Sequence, residues 1–117
     1  MKRRLRLTQS ADIERVRQYG KSFAHPLLVL VVLANQVGHT RVAVIAGRAL
    51  GKAVKRNRAK RLIRAAISPY IEIIKPGWDL LLIARRPFAQ ADISSAKEIL
   101  EILLARANLI INLDDTP

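Results

Sequence analysis

The sequence predicts an α+β fold, a two-layer sandwich in which one sheet of about four strands packs against helices. Apolar residues recur at helical spacing in three separate stretches, and short runs rich in valine, isoleucine and leucine lie between them. In chain order these stretches give a helix, three strands, a helix, a strand and a helix. A chain of 117 residues without internal repeats fits one domain, to which we assign residues 1–117.

The first predicted helix covers about residues 8–19. Thr8 or Ser10 can cap its amino end, because a side-chain oxygen there accepts a hydrogen bond from a free backbone amide. Gly20 is expected to end the helix. Before it, Lys2, Arg3, Arg4 and Arg6 make residues 1–6 a basic arm. The arm is either a solubilising tail or a phosphate-contacting segment, and its place beside other basic segments favours the second.

Four stretches have the composition of β-strands, namely residues 21–24, 27–33, 41–46 and 78–84. The run LLVLVVL in the second stretch is apolar without alternation, which predicts burial of both its faces. A short connection containing Gly38 leads to the third stretch, so we expect these two strands to form an antiparallel pair. The third strand, the next helix and the fourth strand form a βαβ unit, for which the default crossover is right-handed.

The stretch from Gly51 to Arg64, GKAVKRNRAKRLIR, contains seven lysines or arginines among fourteen residues. As a helix it has one apolar side, which carries Ala59, Leu62, Ile63, Ala66 and Tyr70. The opposite side and its flanks carry Asn57, Arg58, Lys60, Arg61 and Arg64. Cations three or four residues apart repel one another, so this face favours a polyanion whose phosphates neutralise it. Pro69 predicts that this basic helix ends near Ser68, because the residue before a proline disfavours helical geometry.

The last predicted helix covers residues 91–107, with apolar residues at helical spacing along one side. Residues 108–117 have no predicted element, and we expect them to form a disordered tail.

The charge of the chain is large and unevenly distributed. The net charge is +12, and between Glu14 and Glu72 there are twelve lysines or arginines but no carboxylate. One side of the fold should therefore be strongly positive, as in proteins that bind nucleic acid.

No group of residues in the sequence predicts protein-based catalysis. We expect His25 and His39 at the surface, and Asp79 in a structural role as a cap or as the partner of an arginine. The motifs of nucleotide-binding loops and serine hydrolases are missing, and without cysteine there is neither a disulfide nor a thiolate metal site. The longest apolar run has eight residues, far short of the roughly 20 needed to span a bilayer. With no signal-peptide pattern, we expect a cytoplasmic protein.

The motif Arg56-Asn57-Arg58, with Lys60, Arg61 and Arg64 after it and Gly51 before it, resembles the signature of the bacterial ribonuclease P protein component. The resemblance covers roughly residues 5–107, because RLTQSADIERVRQYG and KPGWDLLLIARRP also resemble the first helix and the last strand of that family. It implies an αβββαβα order with an unusual left-handed crossover, against the general rule. It also implies a 1:1 ribonucleoprotein in which RNA and magnesium perform the cleavage of the 5′ leader of precursor tRNA, with no catalytic residue in the protein.

Carried over to this chain, the resemblance implies RNA contacts by the following residues: Arg48, Lys52, Arg56, Asn57, Arg58, Lys60, Arg61 and Arg64. It also implies a cleft between the first helix and the sheet that holds the single-stranded leader. This chain has Ile13, Arg17 and Val31 where aromatic residues are common in the family, so leader binding should depend on charge and apolar contact. Phe23 in the first strand is an aromatic residue expected at the edge of this groove.

Three other functions remain open at this stage. The nearest is a structural RNA-binding protein of ribosomal type, which uses the same basic helix without any cleavage. A DNA-binding protein would prefer duplex DNA to structured RNA at matched salt. A protein that binds anionic membranes is disfavoured, because the apolar side of the basic helix is needed for the core.

Overall fold

The computed structural model describes residues 3–110, and these form one four-stranded sheet with three α-helices. The elements are α1 (Ser10–Tyr19), β1 (Lys21–Ala24), β2 (Leu28–Ala34), β3 (Arg41–Ala46), α2 (Ala53–Ile71), β4 (Trp78–Ala84) and α3 (Ile93–Arg106). Short 3₁₀-helices cover Arg3–Leu5, Arg48–Leu50 and Arg86–Gln90. The predicted α+β sandwich with the order αβββαβα is confirmed.

The strands lie in the order β1-β2-β4-β3. β2 is antiparallel to both β1 and β4, and β3 is parallel to β4. The predicted antiparallel pair of β2 and β3 is therefore wrong, because β4 lies between them. Leu80, Leu81 and Leu82 of β4 are all 0% exposed, and only a central strand covered on both faces can bury such a run. The hand of the β3-α2-β4 crossover stays a prediction.

The larger core lies between the sheet and the pair of helices α2 and α3. Every second residue of the strands, including Leu30 and Leu82, meets Ile63 and Ile67 of α2 and Leu103 of α3. These side chains are 0% exposed. The predicted apolar side of the basic helix is thus committed to the core, and its other sides remain at the surface.

The opposite face of the sheet carries a single helix, α1. Its Val16 packs with Val31, Leu81 and Ala43, one residue from each of three neighbouring strands, and Leu7 joins this smaller cluster. Because only one helix crosses this face, part of the sheet beside α1 is not fully covered.

Three predicted boundaries differ from the structure. The residue before α1 is Gln9, whose side chain makes no capping bond, so neither Thr8 nor Ser10 caps this helix. α2 continues past Pro69 to Ile71, because Ile71 and Ile74 are buried against the core and hold the last turn in place. Leu109 is 2% exposed, so the chain is still packed at a position assigned to the tail. Positions 111–117 of that tail, and residues 1–2 of the arm, lie outside the described residues.

Candidate nucleic-acid interface

The basic side of α2 and the two basic residues before it form what we call the cation stripe: Arg48, Lys52, Arg56, Asn57, Arg58, Lys60, Arg61 and Arg64. Arg61 is exposed, while Lys60 and Arg64 are half-buried along the flank of the helix. Their long aliphatic stems can lie on apolar surface while the charged groups reach water. The structure places six of the residues that the sequence predicted for RNA contact on α2, and Arg48 and Lys52 just before it.

No residue of the cation stripe forms an ion pair with a carboxylate within the described part of the chain. Each ion pair found among residues 3–110 involves Arg15 or Arg41, and neither belongs to α2. The repulsion between neighbouring cations of the helix is thus not relieved by any ion pair among the described residues. A phosphate backbone would supply the missing negative charge.

Arg58 differs from the rest of the cation stripe because its guanidinium is bound to the protein. Its Nη2 donates to the carbonyl of Ala91 at 3.1 Å and its Nη1 to that of Ala89 at 3.4 Å. These carbonyls lie just before α3, so Arg58 joins α2 to the start of α3. The sequence pattern could not reveal this, because the contact spans more than thirty residues.

Arg56, in contrast to Arg58, has a guanidinium nitrogen that lacks an acceptor among the described residues. Its Nε is buried and has no hydrogen-bond partner among the residues that the structure describes. A buried donor without an acceptor costs roughly 1–3 kcal/mol. An acceptor that arrives with a bound ligand would remove this cost.

The basic arm lies along the outer edge of β3. Arg6 bridges to Val42 in the parallel sense, and the Leu7 amide donates to the Val42 carbonyl at 2.8 Å. Leu5 packs against the larger core, and the His39 Nε2 lies 3.0 Å from the Arg4 carbonyl oxygen. Arg3, Arg4 and Arg6 remain exposed. Because α2 also packs against β3, the arm and α2 share this edge strand as a neighbour.

The surface beside α1 is a cleft with an apolar floor. Val29 is the register partner of Ile83, and Ile83 is the partner of Ile45, so the three form a row across β2, β4 and β3. All three are half-buried and belong to the α1 side of the sheet. At 100° per residue, Ile13 and Arg17 lie on the same flank of α1. The row was not predicted, because strand order decides which residues become neighbours.

The four residues predicted for the cleft do not all lie in it. Ile13 is half-buried against the smaller cluster, and Arg17 is exposed on the same flank of α1. Val31 is only 3% exposed beneath the helix, so it can support the cleft but offers little surface. Phe23 lies on the opposite face of the sheet, because it pairs with Leu30 and packs against the larger core. Its placement in the cleft is therefore wrong.

Asp79 is the buried centre of an ion network that the sequence predicted only as a pairing with some arginine. Its Oδ1 accepts from the Arg41 Nε at 2.9 Å and its Oδ2 from the Arg41 Nη2 at 2.8 Å. The Asn35 amide donates a further bond of 2.9 Å. The hydrogen bonds from Arg41 to Asp79 raise the pKa of the Arg41 guanidinium above its ordinary value, although partial burial opposes the shift.

The two histidines are held by backbone groups. The Nδ1 of His25 accepts a hydrogen bond from the Leu27 amide at 3.1 Å, and His39 contacts the arm. No cluster of three or more histidine, aspartate or glutamate side chains able to hold a metal ion occurs within residues 3–110. Nor does any helix in this range have the length and apolarity needed to cross a bilayer.

Comparison with known proteins decides the family. The family model described as Ribonuclease P matches residues 1–108. The chain belongs to the ribonuclease P protein family. Members of this family are subunits of an endoribonuclease that acts as a ribonucleoprotein in the maturation of tRNA 5′ ends, and this chain is such a subunit.

Individual relatives agree with this assignment. The ribonuclease P protein component of Herpetosiphon aurantiacus is 38% identical over 109 residues, which cover 93% of this chain and 89% of the relative. That of Clostridioides difficile is 36% identical over 106 residues, 90% of this chain and 93% of the relative. The structure of the Staphylococcus aureus ribonuclease P protein superposes with a TM-score of 0.83 at 29% identity, covering 92% of this chain and 98% of that one.

Proposed function

We propose that the cation stripe and the exposed arginines of the arm bind the catalytic RNA of ribonuclease P. The observation that supports this most directly is that, within the described residues, no lysine or arginine of α2 forms an ion pair with a carboxylate. The buried Nε of Arg56 adds a donor that a phosphate oxygen could satisfy. Arg58 has a double role in this proposal, since its guanidinium also fixes the start of α3.

The cleft beside α1 is the proposed site of the single-stranded 5′ leader of precursor tRNA. Its floor of Val29, Ile83 and Ile45 is apolar and half-buried, and Arg17 is exposed on the adjoining flank of α1. Bases of a single strand can lie against such a floor while the cation attracts the phosphates. The protein thereby adds affinity for the precursor, whereas the RNA, with magnesium bound mainly by the RNA, carries the hydrolysis. We further propose that one copy of the protein binds one RNA, and that this complex acts in the bacterial cytoplasm.

Reconstitution with the cognate RNA tests the precursor and magnesium parts of this proposal. Purified protein should restore cleavage of precursor tRNA at low magnesium concentration, where the RNA alone is inactive. A protein that binds the RNA tightly without restoring cleavage would instead support a structural role of the ribosomal type.

The salt dependence of RNA binding tests the cation stripe. Replacing Lys60, Arg61 and Arg64 with alanine should lower the slope of log affinity against log salt by up to about 0.9 for each lost phosphate contact, the duplex value. The control replaces Lys21, Lys75 and Lys97, which are exposed outside the cation stripe, so both variants lose three charges and reach +9 from +12. Equal slopes for the two variants would contradict a specific role of α2.

A further inference from the structure

The ion network around Asp79 connects α1 to the sheet. Asp12 of α1 lies 3.6 Å from Arg41 of β3, and Arg15 of α1 lies 3.5 Å from Asp79 of β4. Each element thus provides one acid and one cation to the other. Arg41 and Asp79 complete the network with their own pair at 2.8 Å, and Arg15 also lies 3.5 Å from Asp12.

The network is unusual in its burial. The side chain of Asp79 is 0% exposed and that of Arg41 is 16% exposed, whereas Asp12 and Arg15 are 29% and 46% exposed. Burying a carboxylate is costly unless every lone pair is used. Asp79 meets this condition with bonds from Arg41, Asn35 and Arg15. Arg41 and Asn35 supply three of these bonds from outside α1, and Arg15 of α1 supplies the remaining one.

The position of the network relative to the cleft is the decisive observation. Asp12 and Arg15 lie on one flank of α1, and at 100° per residue Ile13 and Arg17 lie on the other. The network therefore holds α1 on the flank that faces away from the cleft, and the cleft lies along the opposite flank. At its carboxyl end the helix is fixed by close contact, since Gly20 lies against Val31.

We propose that the crossed ion pairs Asp12–Arg41 and Arg15–Asp79 are a positioning device, which holds α1 at a fixed distance from the sheet and so sets the width of the cleft. This inference depends on the proposed binding of the leader in that cleft. None of the four residues needs to touch RNA for this role. A looser network lets α1 move over the apolar floor, and a cleft of variable width holds a single strand less firmly.

The experiment compares Asp79→Asn and Arg15→Gln with wild-type protein in the reconstituted holoenzyme. For each we would measure the affinity for precursor tRNA with its leader and for mature tRNA without one. The ratio of these two affinities should fall about threefold or more, within the range by which residues outside a site alter binding. KM for the precursor should rise while kcat at saturation stays unchanged, because the RNA performs the chemistry.

Two matched controls separate positioning from charge and from stability. Glu14→Gln removes the same charge from an exposed site on α1 as Asp79→Asn removes from the network. A more positive protein should attract RNA more strongly, so a loss of affinity in Asp79→Asn cannot come from charge. Ile67→Val weakens the larger core, away from α1, and should leave the affinity ratio unchanged despite its lower stability.

A distance measurement reports the position of α1 directly. The chain contains no cysteine, so spin labels at Gln18→Cys on α1 and Glu98→Cys on α3 are the only ones attached. Their distance distribution should broaden in both network variants and stay narrow in both controls. If Asp79→Asn fails to fold, Arg15→Gln alone tests the inference. Arg15 is half-exposed, so its replacement should disturb folding less.

An unchanged affinity ratio, or an unchanged distance distribution, in folded network variants would overturn the inference and leave the leader site intact. A wild-type holoenzyme that binds precursor and mature tRNA equally would instead remove the proposed leader site, and the inference with it.

Discussion

Gly20, the residue directly after α1, lies in close contact with the sheet. A Cβ at this position would lie 2.5 Å from the Val16 carbonyl oxygen and 2.6 Å from Cγ1 of Val31. The backbone itself is unstrained, with φ at −73°, so the requirement for glycine is purely a matter of space. The short link between α1 and β1 depends on this contact.

Gly20→Ala should therefore destabilise the protein by about 1–3 kcal/mol, the usual cost of overpacking. Urea unfolding measures the change. Gly47→Ala is the matched control, because a Cβ at Gly47 would meet nothing within 4 Å and its φ is −82°. The steric explanation fails if both variants lose the same stability.

Arg58 and Arg61 belong to the same motif but should respond differently to replacement. Arg61→Ala should lower RNA affinity and the salt slope while leaving stability nearly unchanged, because Arg61 is exposed and makes no bond to the described protein. Arg58→Ala should lower the melting temperature, because the Ala89 and Ala91 carbonyls lose their donor. Thermal unfolding beside salt titrations would distinguish them, and identical behaviour would refute the distinction.

At the scale of elements, the amino end of α3 is stabilised by a side-chain cap. Asp92 caps this helix by accepting a hydrogen bond of 2.8 Å from the Ser95 amide. That bond, with a smaller effect from nearby Arg58, lowers the pKa of the Asp92 carboxyl below its ordinary value. A group with a lowered pKa stabilises the fold above its unfolded pKa, and the contribution disappears as the pH falls through its folded pKa.

Asp92→Asn should keep the cap at neutral pH, since asparagine caps as well as aspartate. Its melting temperature should fall less than that of wild type between about pH 5 and pH 2, the range in which the aspartate loses its charge. Asp92→Ala should already be less stable at pH 7. Melting curves across this range provide the test, and parallel pH profiles for wild type and Asp92→Asn would rule out the assigned role.

The existence and type of the elements could be predicted because each has a local signal. The composition of residues 41–46 and 78–84 predicts β3 and β4 with the bounds that the structure gives. The end of α2 could not be placed in the same way, because Pro69 is a local signal for termination and the burial of Ile71 is a tertiary effect. Caps are similarly uncertain, as Gln9 before α1 illustrates.

At the scale of the whole molecule, the net charge of +12 should control the rate of RNA binding. We expect the association rate constant for the catalytic RNA to fall by roughly tenfold or more between 50 and 200 mM salt, because steering by a strong field is screened. Stopped-flow mixing measures this rate. A salt effect confined to dissociation would show that contacts in the complex, and not the field of the protein, determine the dependence.

Relations between distant parts of the chain were the least predictable. The position of β4 between β2 and β3 separates two strands that are adjacent in sequence, and it places Val29, Ile83 and Ile45 in one row. The same insertion brings Asp79 next to Arg41. The residues of the cation stripe were predictable because they lie on one helix, whereas the floor of the cleft depends on strand order.

The unequal cover of the two sheet faces has a consequence for deuterium uptake. The cluster under α1 is small, whereas α2 and α3 share a core that includes most of the fully buried side chains. A helix with few buried contacts opens at a lower free energy than the whole molecule unfolds. Backbone amides of α1 should therefore exchange first among the helices, in an excursion that lifts the wall of the cleft and leaves the remaining scaffold folded.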